Sequence, residues 1–203
     1  MNGAIYTLFI QTSYCWQINR RRLRGNSTFL LPFFNNVELY EAYLLSVSLA
    51  PFVPSRPDVV RVMLTVSHIG SDDVVFDLGC GDGRILLSAV KDFGAKKAVG
   101  YEIRNDLYKQ LSEEIVKQGL QNRIALVNDD LMNADISEAT VITLYLTPSG
   151  NDLLKPKLST EAVKGTRIVS HDYEFSGWYT SVKKNLQGHM IYLYIVPEAF
   201  LKA

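Results

Sequence analysis

From Pro51 onward, short apolar runs alternate with stretches whose apolar residues recur every three or four positions, the pattern of parallel strands joined by covering helices. "APFVPSRPDVV" is a proline-stiffened entry, and a helix begins near Asp58 with Val59, Val60, Met63 and Leu64 on one face. "VVFDLG" (74–79) predicts the first strand. The helix after Gly83 carries Ile85, Leu86, Ala89, Val90 and Phe93 as its stripe. "KAVGYEI" predicts a second strand and "NDLYKQLSEEIVKQGL" a second covering helix, with Asn105 as its N-cap and Gly119 as its stop. "RIALVN", "ATVITLYL" and "GTRIVSH" supply strands three to five, and a helix holding Leu153, Leu154 and Leu158 lies between the last two. Beyond Trp178, "SVKKNLQGHMIYLYIV" reads as two strands joined near Gln187 and Gly188 with no helix between them. The expected fold is an α/β Rossmann-like, seven-stranded, mostly parallel sheet, with an antiparallel strand in a C-terminal hairpin and helices on both faces.

The first fifty residues break this pattern. Residues 1–18 are uncharged but interrupted by Asn2, Gln11, Thr12, Ser13 and Gln17, and "RRRLR" (20–24) follows. That is too polar for a clear membrane span, and no secretory cleavage site follows a solid apolar core. The expected division is an N-terminal extension over 1–50 and a catalytic domain over 51–203. A soluble cytoplasmic location is expected, with a mitochondrial targeting arm as the alternative suggested by the arginines and the absence of acids before Glu38.

A chain of 203 residues with 47% hydrophobic residues buries a substantial core. Its 21 basic and 21 acidic side chains cancel, so no overall field draws it to nucleic acid or anionic lipid. Two cysteines, Cys15 and Cys80, with no CxxC and no Cys/His cluster, predict neither disulfides nor a metal centre.

The candidate chemistry starts at "DLGCGDGRI". Gly79, Gly81 and Gly83 allow a sharp turn and close approach of the backbone to a ligand, with the small Cys80 between them. A dinucleotide loop would place a small residue where Arg84 stands, and the carboxylates of Asp77 and Asp82 repel phosphate. A partly cationic ligand is expected. S-adenosylmethionine, with a sulfonium, an ammonium and no phosphate, meets that requirement. Asp77 then receives its ammonium, Glu102, nineteen residues after Gly83 at the second strand's end, its ribose hydroxyls, and Asp130 or Asp129 its adenine amino group.

This order of motifs resembles the class I methyltransferases. Outside it, "APFVPSRPDVV", "DISEATVITLYLTPSGNDLLKPKL", "KGTRIVSHDYEFSGW" and "IYLYIV" resemble the archaeal broad-specificity protein lysine methyltransferases and the related enzymes that methylate the ATP synthase c subunit, over roughly 51–196. The resemblance implies methyl transfer to a lysine ε-amine of protein substrates. A monomer is expected. Tyr145 and Thr147 after strand four, and His171, Asp172 and Tyr173 after strand five, are the candidates for the acceptor pocket, with Phe52 and Pro54 as a lid. Tyr145 has a core-aromatic reading and His171 a structural one. An Asn/Asp-Pro-Pro-aromatic loop, expected for a methyltransferase of nucleic-acid bases, is replaced by "LYLTPSGN". Methylation of a small molecule or of RNA through the same cofactor site, and non-catalytic cofactor binding, are the rival readings.

Overall fold

The structure, a computed structural model, describes residues 48–200, which fall within one compact unit, Leu44–Ala203. The expectations for the N-terminal arm fall almost wholly outside the described residues. Four helices, α1 (Pro57–Val66), α2 (Arg84–Lys91), α3 (Asn105–Lys117) and α4 (Pro148–Glu161), alternate with strands β1 (Val74–Leu78), β2 (Lys97–Tyr101), β3 (Ile124–Val127), β4 (Val141–Leu144) and β5 (Arg167–His171). The hairpin β6 (Val182–Leu186) and β7 (His189–Ile195) closes the chain's one described sheet. Its order is β3-β2-β1-β4-β5-β7-β6, parallel except where β7 runs antiparallel to β5 and β6. Among the described residues, no helix is long and apolar enough to cross a membrane.

The continuous apolar runs of β1, β4 and β5 follow from burial on both faces. Val75, Val141 and Val169 pack with Val60, Leu64, Leu86 and Ile115 of α1–α3. Their neighbours Phe76, Ile142 and Ile168 face the opposite core, with Leu154 and Leu158 of α4. Trp178 is a packing anchor there, its ring 4.5 Å from Phe175 and edge-on to Tyr194 at 5.6 Å. The edge strand β6 is exposed, and Lys183 and Lys184 guard it against pairing with other chains. Gln187 (φ 52°) and Gly188 (φ 94°) form its two-residue turn, the left-handed pair that matches strand twist.

Local differences from the sequence pattern have local causes. Helix α3 starts one residue early: Arg104 occupies the cap position, its guanidinium paired at 2.6 Å with Asp106 of the first turn, and Asn105 is already helical. Leu153 is exposed while Leu154 and Leu158 are fully buried, so the apolar face of α4 is narrower than its leucine content suggests. β4 leaves the ladder at Leu144, where its pairing with β5 ends at Ser170, so Tyr145 and Leu146 are released toward the strand ends.

Gly83 caps α2 with φ 74°, and a Cβ there would strike the Leu111 side chain of α3. Gly83→Ala therefore combines left-handed strain with overpacking, and we expect a loss of roughly 2 to 4 kcal/mol in the ligand-free protein. Urea denaturation measures it; an unchanged midpoint would mean that α2 and α3 shift apart without cost.

Candidate active site

In an open parallel sheet, ligands bind beyond the carboxyl ends of the strands where the order reverses, here between β1 and β4. A cleft opens at that point. Its floor is the Gly79–Asp82 turn, its walls are Glu102 and Asp130 on one side and Tyr145 on the other, and Phe52 covers part of it.

The turn is held from two directions. Gly79 and Cys80 donate backbone N–H groups to the Tyr101 carbonyl at 3.0 and 2.9 Å, tying the exit of β1 to the end of β2. Gly81 N–H donates at 2.8 Å to one carboxylate oxygen of Glu102, and Arg104 N–H donates at 2.8 Å to the other. A Cβ on Gly81 (φ 55°) would lie 2.5 Å from the Phe52 ring, so glycine is required for this close approach. Burial raises the pKa of Glu102 in spite of these two bonds. Each of its oxygens has capacity for one further donor.

Asp77, at 3% exposure, is the most deeply buried acid of the cleft. The described residues offer it one hydrogen bond, from Thr143 Oγ1 at 2.8 Å, and burial together with the nearby Glu102 and Asp82 charges raises its pKa to about 7. Asp82 behaves differently. Arg84 engages it through Nε at 2.9 Å and Nη2 at 2.5 Å, and this pairing holds the carboxyl below its usual range. The sequence pattern treats Asp77 and Asp82 alike; the arginine neutralises the second and leaves Asp77 as the acid without a cation beside it. Cys80 is buried with its thiol pKa pushed well up, against the face of Gly100 where a Cβ would lie 2.7 Å from Sγ. Asp130 lines the cleft and caps a 3-10 turn by accepting from Met132 N–H at 2.9 Å; burial raises its pKa. Asp129 also lines the cleft, but one of its oxygens accepts from both Asp130 N–H and Asn133 Nδ2.

The remaining predicted residues separate into three groups. Gly83 does not line the cleft; it packs behind it. Thr147 serves as the cap of α4, accepting from Gly150 N–H at 3.0 Å and donating to the Leu49 carbonyl at 2.9 Å. Tyr145, His171, Asp172 and Tyr173 come together. The Tyr145 ring lies 3.9 Å from His171 and 6.5 Å from Tyr173, and its hydroxyl donates to Asp172 Oδ2 at 3.2 Å. Burial and the Asp172 charge push the Tyr145 phenol up to about 12, and burial depresses His171 to about 4. Asp172 adopts φ 61°, a left-handed conformation that aspartate tolerates and that turns its carboxylate back onto the strand ends.

Sequence reasoning missed four residues here. His189, at the start of β7, stands with its Nδ1 3.1 Å from both Asp172 Oδ2 and His171 Nε2. Ser55 Oγ lies 2.9 Å from His171 Nδ1, while the Ser55 carbonyl accepts from Arg84 Nη1 at 2.5 Å. Asn151 of α4 donates to the Tyr173 carbonyl at 3.0 Å, and Thr143 holds Asp77. Only Thr143, two residues before Tyr145 on a strand beside β1, lay where sequence spacing points to the cleft.

The donor set fits a ligand with separated positive and hydrogen-bonding groups: a buried carboxylate lacking a bound cation at the base, and two half-satisfied carboxylates at the side. Comparison with known proteins agrees. The chain is 44% identical to a protein-lysine N-methyltransferase of Saccharolobus islandicus (strain REY15A) over 152 residues, 73% of this chain and 94% of that protein. It is 29% identical to the adenine nucleotide translocase lysine N-methyltransferase of Mus musculus over 63% of this chain and 55% of the mouse protein. The crystal structure of an RNA methyltransferase from Salinibacter ruber, in complex with S-adenosyl-L-homocysteine, superposes with a TM-score of 0.70 at 40% identity, covering 72% of this chain and 95% of that one. The family model described as the ANTKMT methyltransferase domain matches residues 77–182, from the buried acid of β1 to the first residue of β6, and the chain belongs to this methyltransferase family.

Proposed function

We infer that the protein transfers a methyl group from S-adenosylmethionine to the ε-amine of lysine in protein substrates. The observation that carries this reading is the pairing of an acid-lined cofactor cleft with an aromatic wall at its edge, in a chain similar over most of its length to a protein-lysine N-methyltransferase. When bound, S-adenosylmethionine supplies a methyl group activated by its sulfonium. Asp77 would hold the ammonium at the base of the cleft, the Gly79–Gly81 turn the carboxylate, Glu102 the ribose hydroxyls and Asp130 the adenine amino group.

The acceptor side works by desolvation and alignment. A lysine near its ordinary pKa of about 10.4 is mostly charged at neutral pH, and only its neutral form is nucleophilic. The Tyr145 and Tyr173 rings form a wall that disfavours the ammonium, so its proton leaves to solvent and the amine lone pair is aimed into the cleft. Asp172 holds Tyr145 through its hydroxyl, and Asn151 fixes the Tyr173 backbone from behind. They are positioning residues.

The Salinibacter ruber relative, named an RNA methyltransferase, favours RNA as a second reading. Against it stand the zero net charge and a rim where Asp82, Glu102, Asp129 and Asp130 outnumber Arg84 and Arg104. A surface that neutralises phosphates needs the reverse.

Incubation with S-adenosylmethionine labelled in its methyl group, offered mixed proteins, RNA and metabolites, should place label on lysines that survive peptide hydrolysis; label confined to RNA or to metabolites overturns the reading. Glu102→Ala should weaken S-adenosylmethionine binding by roughly 2 to 3 kcal/mol, about 30- to 150-fold, in calorimetry. Unchanged affinity would remove Glu102 from the cofactor site. Asp77 adds a pH dependence. Its folded pKa of about 7 exceeds its ordinary 3.8, so the ligand-free fold holds a proton that the unfolded chain releases, and stability falls as pH rises between those values. The cofactor ammonium selects the ionised carboxylate, so its affinity should rise between pH 5.5 and 7.5, and Asp77→Asn should flatten both profiles. Parallel profiles for the two proteins would refute the assignment.

A further inference from the structure

Three side chains from separate points of the chain direct lone-pair atoms at one another behind the Tyr145 wall. His171 Nε2, His189 Nδ1 and Asp172 Oδ2 form a nearly equilateral triangle with edges of 3.1, 3.1 and 3.3 Å. Either ring nitrogen can carry a proton or offer its lone pair, depending on tautomer, and Asp172 Oδ2 accepts from whichever carries one.

The edges have another meaning. Ligand atoms about 2.0 to 2.1 Å from a tetrahedral ion are about 3.3 Å apart, and around an octahedral ion adjacent ligands are about 2.9 Å apart. The triangle falls between these limits. We propose that His171, Asp172 and His189 form a binding site for a divalent transition-metal ion, of which zinc is the representative, with three protein ligands and at least one position left open.

The surroundings are those of a built site. Metal-ligating histidines are oriented through the opposite ring nitrogen, and His171 Nδ1 lies 2.9 Å from Ser55 Oγ, which it serves as donor when Nε2 binds the ion. Asp172 is oriented just as fully: Met190 N–H donates to Oδ1 at 2.9 Å and the Tyr145 hydroxyl to Oδ2, which keeps a second lone pair for the ion. Two imidazoles and a carboxylate suit zinc and its first-row neighbours better than calcium or magnesium, which take oxygen ligands. His171 is almost fully buried whereas Asp172 and His189 are partly exposed, so an ion reaches the triangle from the His189 side. The sequence concealed it because the ligands come as one adjacent pair plus a residue from the next strand, without any recognised metal-binding spacing.

The test uses the full-length protein treated with EDTA, desalted and titrated with zinc chloride in a calorimeter, with cobalt(II) followed by visible absorption. We expect one equivalent to bind and cobalt to show the absorption of nitrogen- and oxygen-ligated sites. His189→Ala, a change at a half-exposed position, should lower zinc affinity at least 100-fold. Asp172→Asn, which keeps the side-chain shape, should do likewise, with thermal melts establishing that each variant is folded. Failure of the wild-type protein to bind zinc overturns the proposal. So does zinc binding that persists undiminished in both folded variants, which would locate it elsewhere, for instance at His68 or Cys15. The readout is metal affinity and is independent of methyl transfer.

Discussion

The Glu102 carboxylate joins the two halves of the cofactor cleft, and the rest of the site depends on that bond pair. One oxygen takes Gly81 N–H from the turn after β1, and the other takes Arg104 N–H from the cap of α3. Where parallel strands end, the following turns lose the ladder that satisfied their amides, and a buried unpaired N–H is costly. A single carboxylate supplies both acceptors and thereby fixes the distance between glycine turn and helix start. The arrangement is nonetheless a compromise. Burial outweighs the two hydrogen bonds and raises the pKa of Glu102, so the fold tolerates a poorly solvated acid at this point.

Asp77 and Asp130 repeat that compromise, and the three together explain why the cleft is suited to a cation-bearing nucleoside. Each is raised by burial; at Glu102 the nearby Arg104 charge lowers the pKa without overcoming that burial, and at Asp77 the Glu102 and Asp82 charges add to it. The one basic group inside the glycine turn, Arg84, is turned away from Asp77 and committed to Asp82 and the Ser55 carbonyl. The cleft thus keeps unneutralised negative charge where solvent is scarce, at a cost in ligand-free stability that a positively charged ligand offsets on binding. A structural reading as a cap accounts for the bond of Asp130 to Met132 N–H, but not for the burial of Asp77 and Glu102.

The pattern of apolar residues sufficed for the sheet because β1, β4 and β5 are buried on both faces, and for the hairpin because Gln187 and Gly188 sit between two runs of strand periodicity. The placement of Asp77, Glu102 and Asp130 around the cleft was legible for a related reason: each lies at or just beyond the carboxyl end of a strand, so strand order converts into position around the cleft. Contacts made across the sheet carried no such signal. His189 is near Asp172 only because β7 turns back antiparallel on β5, pairing His171 with Ile191. Ser55 meets His171 from 116 residues away. Thr147 shows the opposite error of emphasis: a threonine before Pro148 is a helix-cap pattern, and the structure uses it as one.

The segment before α1 gains its importance from the same contacts. Phe52 lies against Gly81, so the aromatic ring and the glycine turn exclude one another from alternative positions. Three residues on, Ser55 binds Arg84 through its carbonyl and His171 through its hydroxyl, touching the glycine loop and the Tyr145–His171 cluster with one residue. Leu49 accepts from Thr147 and packs against Gly150, adding the start of α4 to the same seam. A shift of this strap cannot be confined to one side of the cleft: moving Ser55 removes the acceptor of Arg84 Nη1 and at the same time frees the His171 ring behind Tyr145. The arginine beside the glycine turn and the histidine behind Tyr145 are therefore positioned together by a short stretch of extended chain.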